Sequence, residues 1–404
     1  MFVAIRSSVA LARFDAAAVS SAPPVVGPPM QPIWIVAARR TPQGRFLGGL
    51  ARQSAVDLGV AAGAAALAGI DPRRIDAVIV GNVLAAGCGM NVARQIGVRC
   101  GVPVEVPAFT VNMMCGSGMH AVSLAAQAIR DGGATLVLCG GTESMSNAPH
   151  LLERSRGGLK LGDGVLVDSL LRDGLIDAFS GRHMAVTAEA LAERFGISRE
   201  TQDAFAVRSQ QRCAAARAAG RFAAELVAVA GVEADEHPRP DTTAAGLAQL
   251  PATFTAGGTV TAGNASGLND GAAMLVVCGA DTGRALGLEP LAVLAATATV
   301  GCDPAAMGLG PVHAVRRLGR AVDDYDVVEL NEAFAAQALA CIHELGLDPE
   351  RVNPDGGGIA LGHPLAATGA RLLVHLAHRR PRRGLATLCV GGGMGCAAVV
   401  ERPA

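Results

Sequence analysis

Cys115 sits in VNMMCGSGMHA, residues 111 to 121, between a short apolar run of strand type and an alanine-rich run of helical type. At a helix N-terminus the unpaired backbone N–H groups and the helix dipole favour negative charge, which lowers a thiol's pKa and enlarges its nucleophilic thiolate fraction. Gly116 and Gly118 leave room for a thioester to approach the sulfur. An isolated cysteine at a tight turn is more often a small core residue, so the reading depends on partners.

A cysteine nucleophile needs a base. Among nine histidines, His363 follows the glycine run GGGIALG and precedes Pro364, which suits the first turn of the helix LAATGARLLVHLAHR. An imidazole at such a loop-to-helix junction is placed to take a thiol proton, or to be satisfied there by backbone groups. Cys389 closes the strand-like GLATLCV and opens onto GGGMG; it is a second acid or base if held near the first thiol, and a core residue otherwise. Asn331 follows DVVEL and begins NEAFAAQALACIHELG. It suits a helix N-cap, or an amide that orients a water at a developing enolate oxygen.

Other motifs fail. GGGMGC and GGGIALG do not match G-x-G-x-x-G opening a helix, and no G-K-[ST] follows a glycine loop, so neither a dinucleotide site nor a phosphate-binding loop is supported. CGSG lacks the glycine before the cysteine expected of a nucleophile elbow. No His, Cys, Asp or Glu cluster has metal-ligand spacing.

The elements that must position these residues alternate along the chain. IWIVAA, AVDLGVAAGAAALAGI and IDAVIVGNV read as strand, helix, strand, the pattern of an α/β fold with a parallel or mixed sheet. The pattern then repeats. DAVIVGNVL from Asp76 is echoed by DVVELNEAF from Asp326, and GATLVLCGG at 133 to 141 by LATLCVGGG at 385 to 393. Long-range similarity of this kind implies a duplicated fold. In it, the Cys115 turn of the first copy corresponds to GIALGHPLAATG, 358 to 369, of the second, so two loops in matching positions can face each other. Between Met145 and Gly263 the texture changes to Arg- and Glu-rich helices and a Pro/Thr-rich stretch, which reads as an insertion into the first half.

Composition agrees. The 404 residues are half apolar with a formal charge of −1, one Trp and one Tyr, which disfavours a base-stacking nucleic-acid surface. No uninterrupted apolar run is long enough to span a membrane. The ten cysteines are irregularly spaced without a C-x-x-C pair, pointing to reduced thiols and a cytoplasmic protein. Residues 1 to 30, with two Arg, several Ser and a Pro-rich end, stand apart as a targeting segment, a disordered tail or an over-long start.

Taken together, NMMCGSGMHA, NEAFAAQ, GGGIALGHP and LCVGGGMGCA, in that order, resemble the thiolase family from about Pro32 to Arg402, as does TVTAGNASGLNDGAA at 259 to 273. The resemblance implies two similar mixed-sheet α/β halves in a five-layer α/β/α/β/α stack with an inserted loop domain. The expected division is 1–30 leader, 31–144 first half completed by 267–290, 145–266 insertion, and 291–404 second half. It implies that Cys115 attacks an acyl-CoA thioester with His363 as base. Cys389 then takes an α-proton from a second acetyl-CoA, whose enolate attacks the acyl-enzyme; the reverse is thiolysis. His363 and a water on Asn331 would form one oxyanion site, and the N–H groups of Cys115 and Gly391 the other. Ser266 would lie near the pantetheine of CoA and Arg239 near its adenine and phosphates. His183, Met184, Phe254 and Phe334 would line the acyl pocket. CoA is expected as substrate, with no permanently bound cofactor or metal, and the chain as a homodimer or a tetramer built from dimers.

Three departures stand out. Ala366 in HPLAATG replaces the family's usual glycine, a change that is harmless at negative φ and strained at positive φ. Val92 stands where proline is frequent, and the insertion is shortened around 230 to 250. An acetyl-CoA acetyltransferase is the leading reading, favoured by His183-Met184. A longer-chain 3-ketoacyl-CoA thiolase is the alternative. A non-catalytic acyl-CoA-binding relative would be expected to lack one of Cys115, His363 and Cys389, and the second cysteine argues against a decarboxylating synthase.

Overall fold

The computed structural model describes residues 31–404; the leader expected at 1–30 lies outside the described residues. The first half runs β1 (Ile33–Arg40), β2 (Gly44–Arg45), α1 (Ala55–Ala66), β3 (Ala77–Gly81), α2 (Val92–Arg99), β4 (Ala108–Val111), α3 (Ser117–Arg130) and β5 (Leu136–Ser144). Helix α1 begins at a reciprocal cap, in which the Ser54 side chain accepts from the Asp57 N–H and the Asp57 carboxylate from that of Ser54. The segment between the Met145 turn and Gly263 holds the hairpin β6 (His150–Leu152) and β7 (Leu166–Asp168) and helices α4 (Met184–Phe195), α5 (Arg199–Ala218) and α6 (Ala244–Ala248). Strand β8 (Asn269–Gly279) and helix α7 (Ala280–Ala285) return the chain to the first half.

The second half repeats the plan: β9 (Ala292–Gly301), α8 (Gly310–Arg317), β10 (Val327–Leu330), α9 (Ala335–Leu345), α10 (Gly358–Leu361), α11 (Leu365–Arg379), β11 (Arg383–Val390) and β12 (Met394–Glu401). The duplication read from the sequence holds at the level of pairing. β3 lies parallel to β5 and β10 parallel to β11; β5 is antiparallel to β8 and β11 to β12; β8 is antiparallel to β1 and β12 to β9. Even β4, parallel to β3, has a counterpart in the parallel bridge of Val328 to Val352.

The alternation of side chains along each strand builds five layers. Ile79, Val137, Cys139 and Leu275 of one half, with Ala386, Leu388 and Ala398 of the other, enclose α3 and α11 in a central core. The opposite faces carry Val78, Leu138 and Val276 towards α1 and α2, and Val328, Leu385 and Val399 towards α8 and α9. One detail differs from two separate sheets. Ile33, Trp34 and Ile35 of β1 pair with Leu294, Val293 and Ala292 of β9, so the half-sheets join at their edges into a single ten-stranded sheet among the described residues.

Candidate active site

The expected cysteine and histidine lie just before the N-terminal ends of the two central helices. Before α3 the chain makes a tight turn. Met114 adopts φ 46°, in the left-handed region that non-glycine residues seldom enter. The Gly116 N–H donates to Met113 O at 3.0 Å, and the Ser117 hydroxyl donates to Met114 O at 2.6 Å while accepting from the Met113 N–H at 2.8 Å. Cys115 is therefore presented by a strand-turn-helix corner whose left-handed residue is the methionine just before it. Gly116 is required there, because a side chain would press within 3.0 Å of Val390 and Cys396.

Burial pushes Cys115 up to about 11, against the pull of the Gly391 N–H and its own, both facing the sulfur. Helix α3 begins only at Ser117, two residues beyond Cys115, and burial is the largest influence on the thiol. Cys389, at the end of β11 and 1 % exposed, is raised well above the usual thiol range by burial and then by the proximity of Cys115.

His363 precedes α11 and is buried. Its N–H donates to Asn269 Oδ1 at 2.9 Å, its Nδ1 lies 2.6 Å from Thr368 Oγ1, and its Nε2 lies 3.5 Å from Asn331 Nδ2. Burial, and then the charge of Arg371, push the imidazole down to about 3, so it is neutral at physiological pH. Asn331 is not the helix cap that its sequence position allowed. α9 starts at Ala335 behind an extended Phe334, whereas the Asn331 amide is fully buried with its Oδ1 unpartnered. Helix geometry did not claim the amide, so it is free to face His363.

The remaining expected residues fall into two groups. Met184, Phe334 and Phe254 pack with Cys389 and Met307 in one apolar cluster, and the His183 ring stacks on Phe254 with centroids 4.5 Å apart. A side chain on Gly391 would meet Met114 and Met184 at 3.6 Å, which ties this cluster to the Cys115 turn. Ser266 lies at the edge of the same region, its hydroxyl donating to Ala333 O at 3.1 Å. Arg239 is exposed, two residues beyond His237, whose ring packs onto Gly267 beside Ser266. Sequence reasoning missed Thr368, Asn269, Met307 and Glu143. Glu143 is fully buried and accepts from the Asn82 amide and from the N–H groups of Val83, Leu84 and Ala366, while burial raises it to about 7. Only Thr368 had a legible signal, a hydroxyl one turn into the helix that follows the histidine. Among the described residues no group of three or more His, Cys, Asp or Glu is disposed to hold a metal ion.

A doubled α/β core with a cysteine before one central helix and a neutral histidine before the other fits a cysteine-dependent acyltransferase. Residues 33–281 match the model of the thiolase N-terminal domain and 288–402 that of the thiolase C-terminal domain. The chain belongs to the thiolase family. It is 50% identical over 388 residues to an acetyl-CoA acetyltransferase of Chromobacterium violaceum, covering 91% of this chain and 99% of that protein. It is equally 50% identical over 391 residues to a probable acetyl-CoA acetyltransferase of Escherichia coli, covering 92% and 100%. The crystal structure of human mitochondrial 3-ketoacyl-CoA thiolase in complex with CoA superposes with a TM-score of 0.90 at 42% identity, covering 93% of this chain and 98% of that one.

Proposed function

We propose that the protein joins two acetyl-CoA molecules into acetoacetyl-CoA and CoA, and runs the reverse thiolysis, through an acyl-Cys115 intermediate. The observations that carry this are the proximity of Cys115 to Cys389 beside a small apolar cluster, and the packing of Cys115 against Leu365 and Ala366, just after the histidine of the His363–Asn331 pair. Names of relatives support the acetyl substrate.

Because Cys115 rests as a thiol and His363 as a neutral base, attack and proton transfer go together. Cys115 Sγ bonds to the thioester carbon as its proton passes to His363. The N–H groups of Cys115 and Gly391 donate to the oxyanion between them. The C–S bond to CoA then breaks, and the departing thiolate takes the proton of Cys389. The thiolate left in that dry setting is strongly basic, matched to an α-proton of the second acetyl-CoA. The enolate forms against protonated His363 and a water on Asn331, attacks the acyl carbon and expels Cys115, which recovers its proton from His363.

Ser266 and Arg239 would hold CoA, with Arg239 suited to phosphate pairing or adenine stacking. His183, Met184, Phe254 and Phe334 would wall a short acyl pocket. We also propose a homo-oligomer, supported by exposed Leu161, Val165 and Leu166 on the β6–β7 segment and Phe179 beyond it. A reducing, cytoplasmic setting is supported by ten free cysteines. Thiolysis of 3-oxoacyl-CoA from four to sixteen carbons tests the reading. Activity confined to acetoacetyl-CoA supports it, activity extending to long chains moves the protein to the degradative alternative, and none at any length favours a binding protein.

A further inference from the structure

The contacts around His363 favour one arrangement of protons. Thr368 Oγ1 has two partners, His363 Nδ1 at 2.6 Å and Pro364 O at 3.3 Å. The carbonyl can only accept, so the single hydroxyl proton belongs there and Nδ1 must donate to Oγ1. At the other nitrogen, Asn331 Nδ2 offers only N–H, so Nε2 faces it with a lone pair. Were the hydroxyl to donate to Nδ1 instead, Nε2–H would confront the N–H of Asn331, and Pro364 O would lose its donor.

We propose that Thr368 is a positioning residue that fixes His363 as the Nδ1–H tautomer, aiming a bare Nε2 at the proton of the nucleophile. The hydroxyl keeps its bond to Nδ1–H when His363 is protonated. The proposal rests on His363 being the base of the reaction proposed above. It adds the residue that decides which of its nitrogens does the work.

The test compares Thr368→Val, which keeps shape and removes the acceptor, with Thr368→Ser, which keeps the acceptor. Loss of the orienting bond is expected to lower kcat for acetoacetyl-CoA thiolysis in T368V by about tenfold or more with KM nearly unchanged, and T368S should recover most of it. A structural role would instead move thermal stability and KM, and T368S would not rescue selectively. Imidazole 15N NMR of the wild-type chain, with His363 assigned by His363→Asn, reads the tautomer itself. Protonated Nδ1 and bare Nε2, with the proton redistributed in T368V, is the expected result. An Nε2–H tautomer in the wild type, or T368V with unaltered kcat, overturns the proposal. If the wild type has no thiolase activity, the functional reading fails while the NMR result still decides the tautomer.

Discussion

The backbone carbonyl of Ala366 fills the space that a side chain on Gly118 would need, and on the other side Met119 N would lie 2.9 Å from a Cβ on Gly369. Helices α3 and α11 thus cross backbone to backbone, one turn beyond Cys115 and His363 respectively. Gly118→Ala forces them apart. Overpacking of this kind costs about 1–3 kcal/mol, and here it would also shift the turns that carry Cys115 and His363 relative to each other. A lowered thermal midpoint together with lost activity is expected; an unchanged midpoint would show that the crossing is not tight.

Much of this crossing was invisible in the sequence, although its surroundings were not. The echo of DAVIVG in DVVEL is borne out as β3 and β10, and that of VLCGG in LCVGG as β5 and β11, because buried strands advertise themselves through β-branched runs. Ala366 settles its own question. It lies inside α11, where φ is negative, fully buried with its N–H on Glu143, so the replacement of glycine brings no left-handed strain. The left-handed Met114 had no composition signal, since nothing in the residue type announces it. Asn331 was misleading as a cap candidate because Ala335, not Glu332, starts the helix. Burial, a property of the whole fold, raises the Cys115 thiol and could not be read from the local strand-to-helix junction.

The two thiols should separate into two half-reactions. Cys115→Ala removes the bond-forming atom, and both condensation and thiolysis should fall by about 10⁴-fold or more, toward the limit left when a nucleophile is deleted. Cys389→Ala should still accept an acetyl group on Cys115, visible by intact-mass spectrometry, yet fail to condense it. Normal condensation by Cys389→Ala would rule out the assigned role.

Resting ionisation fixes the pH dependence of activity. A His363 held down to about 3 by burial and Arg371 stays neutral through the whole range in which the protein is usable. Hence kcat/KM for thiolysis should show no acid limb near the ordinary histidine pKa of about 6.5. Cys115, pushed up to about 11, should react with iodoacetamide at a rate that climbs with pH through 8 to 10, without the neutral-pH plateau of a preformed thiolate–imidazolium pair. Such a plateau in the alkylation profile would contradict the assignment.

At the far end of α11 the same helix carries His375 between two carboxylates, Nδ1 3.0 Å from Glu225 and Nε2 3.2 Å from Asp355, all buried. Burial alone would lower this histidine, but Glu225 and Asp355 raise it to about 10. Against the upward push of burial, Arg40 and His375 hold Glu225 down to about 2, and His375 and Arg379 do the same for Asp355. The folded imidazole binds its proton more tightly than the unfolded one, so its contribution is complete below the unfolded value of 6.5 and is lost as pH rises through about 10. The carboxylates act oppositely, complete above their unfolded values and lost as pH falls through about 2. Wild-type stability by urea denaturation should therefore fall from pH 6 to pH 10. His375→Gln leaves two buried carboxylates short of a cation, which costs about 3–5 kcal/mol at pH 6, and its deficit should shrink as pH approaches 10. A wild-type profile flat between pH 6 and 10, or a deficit independent of pH, would mean that the imidazole is neutral and that Glu225 and Asp355 are satisfied by the arginines alone.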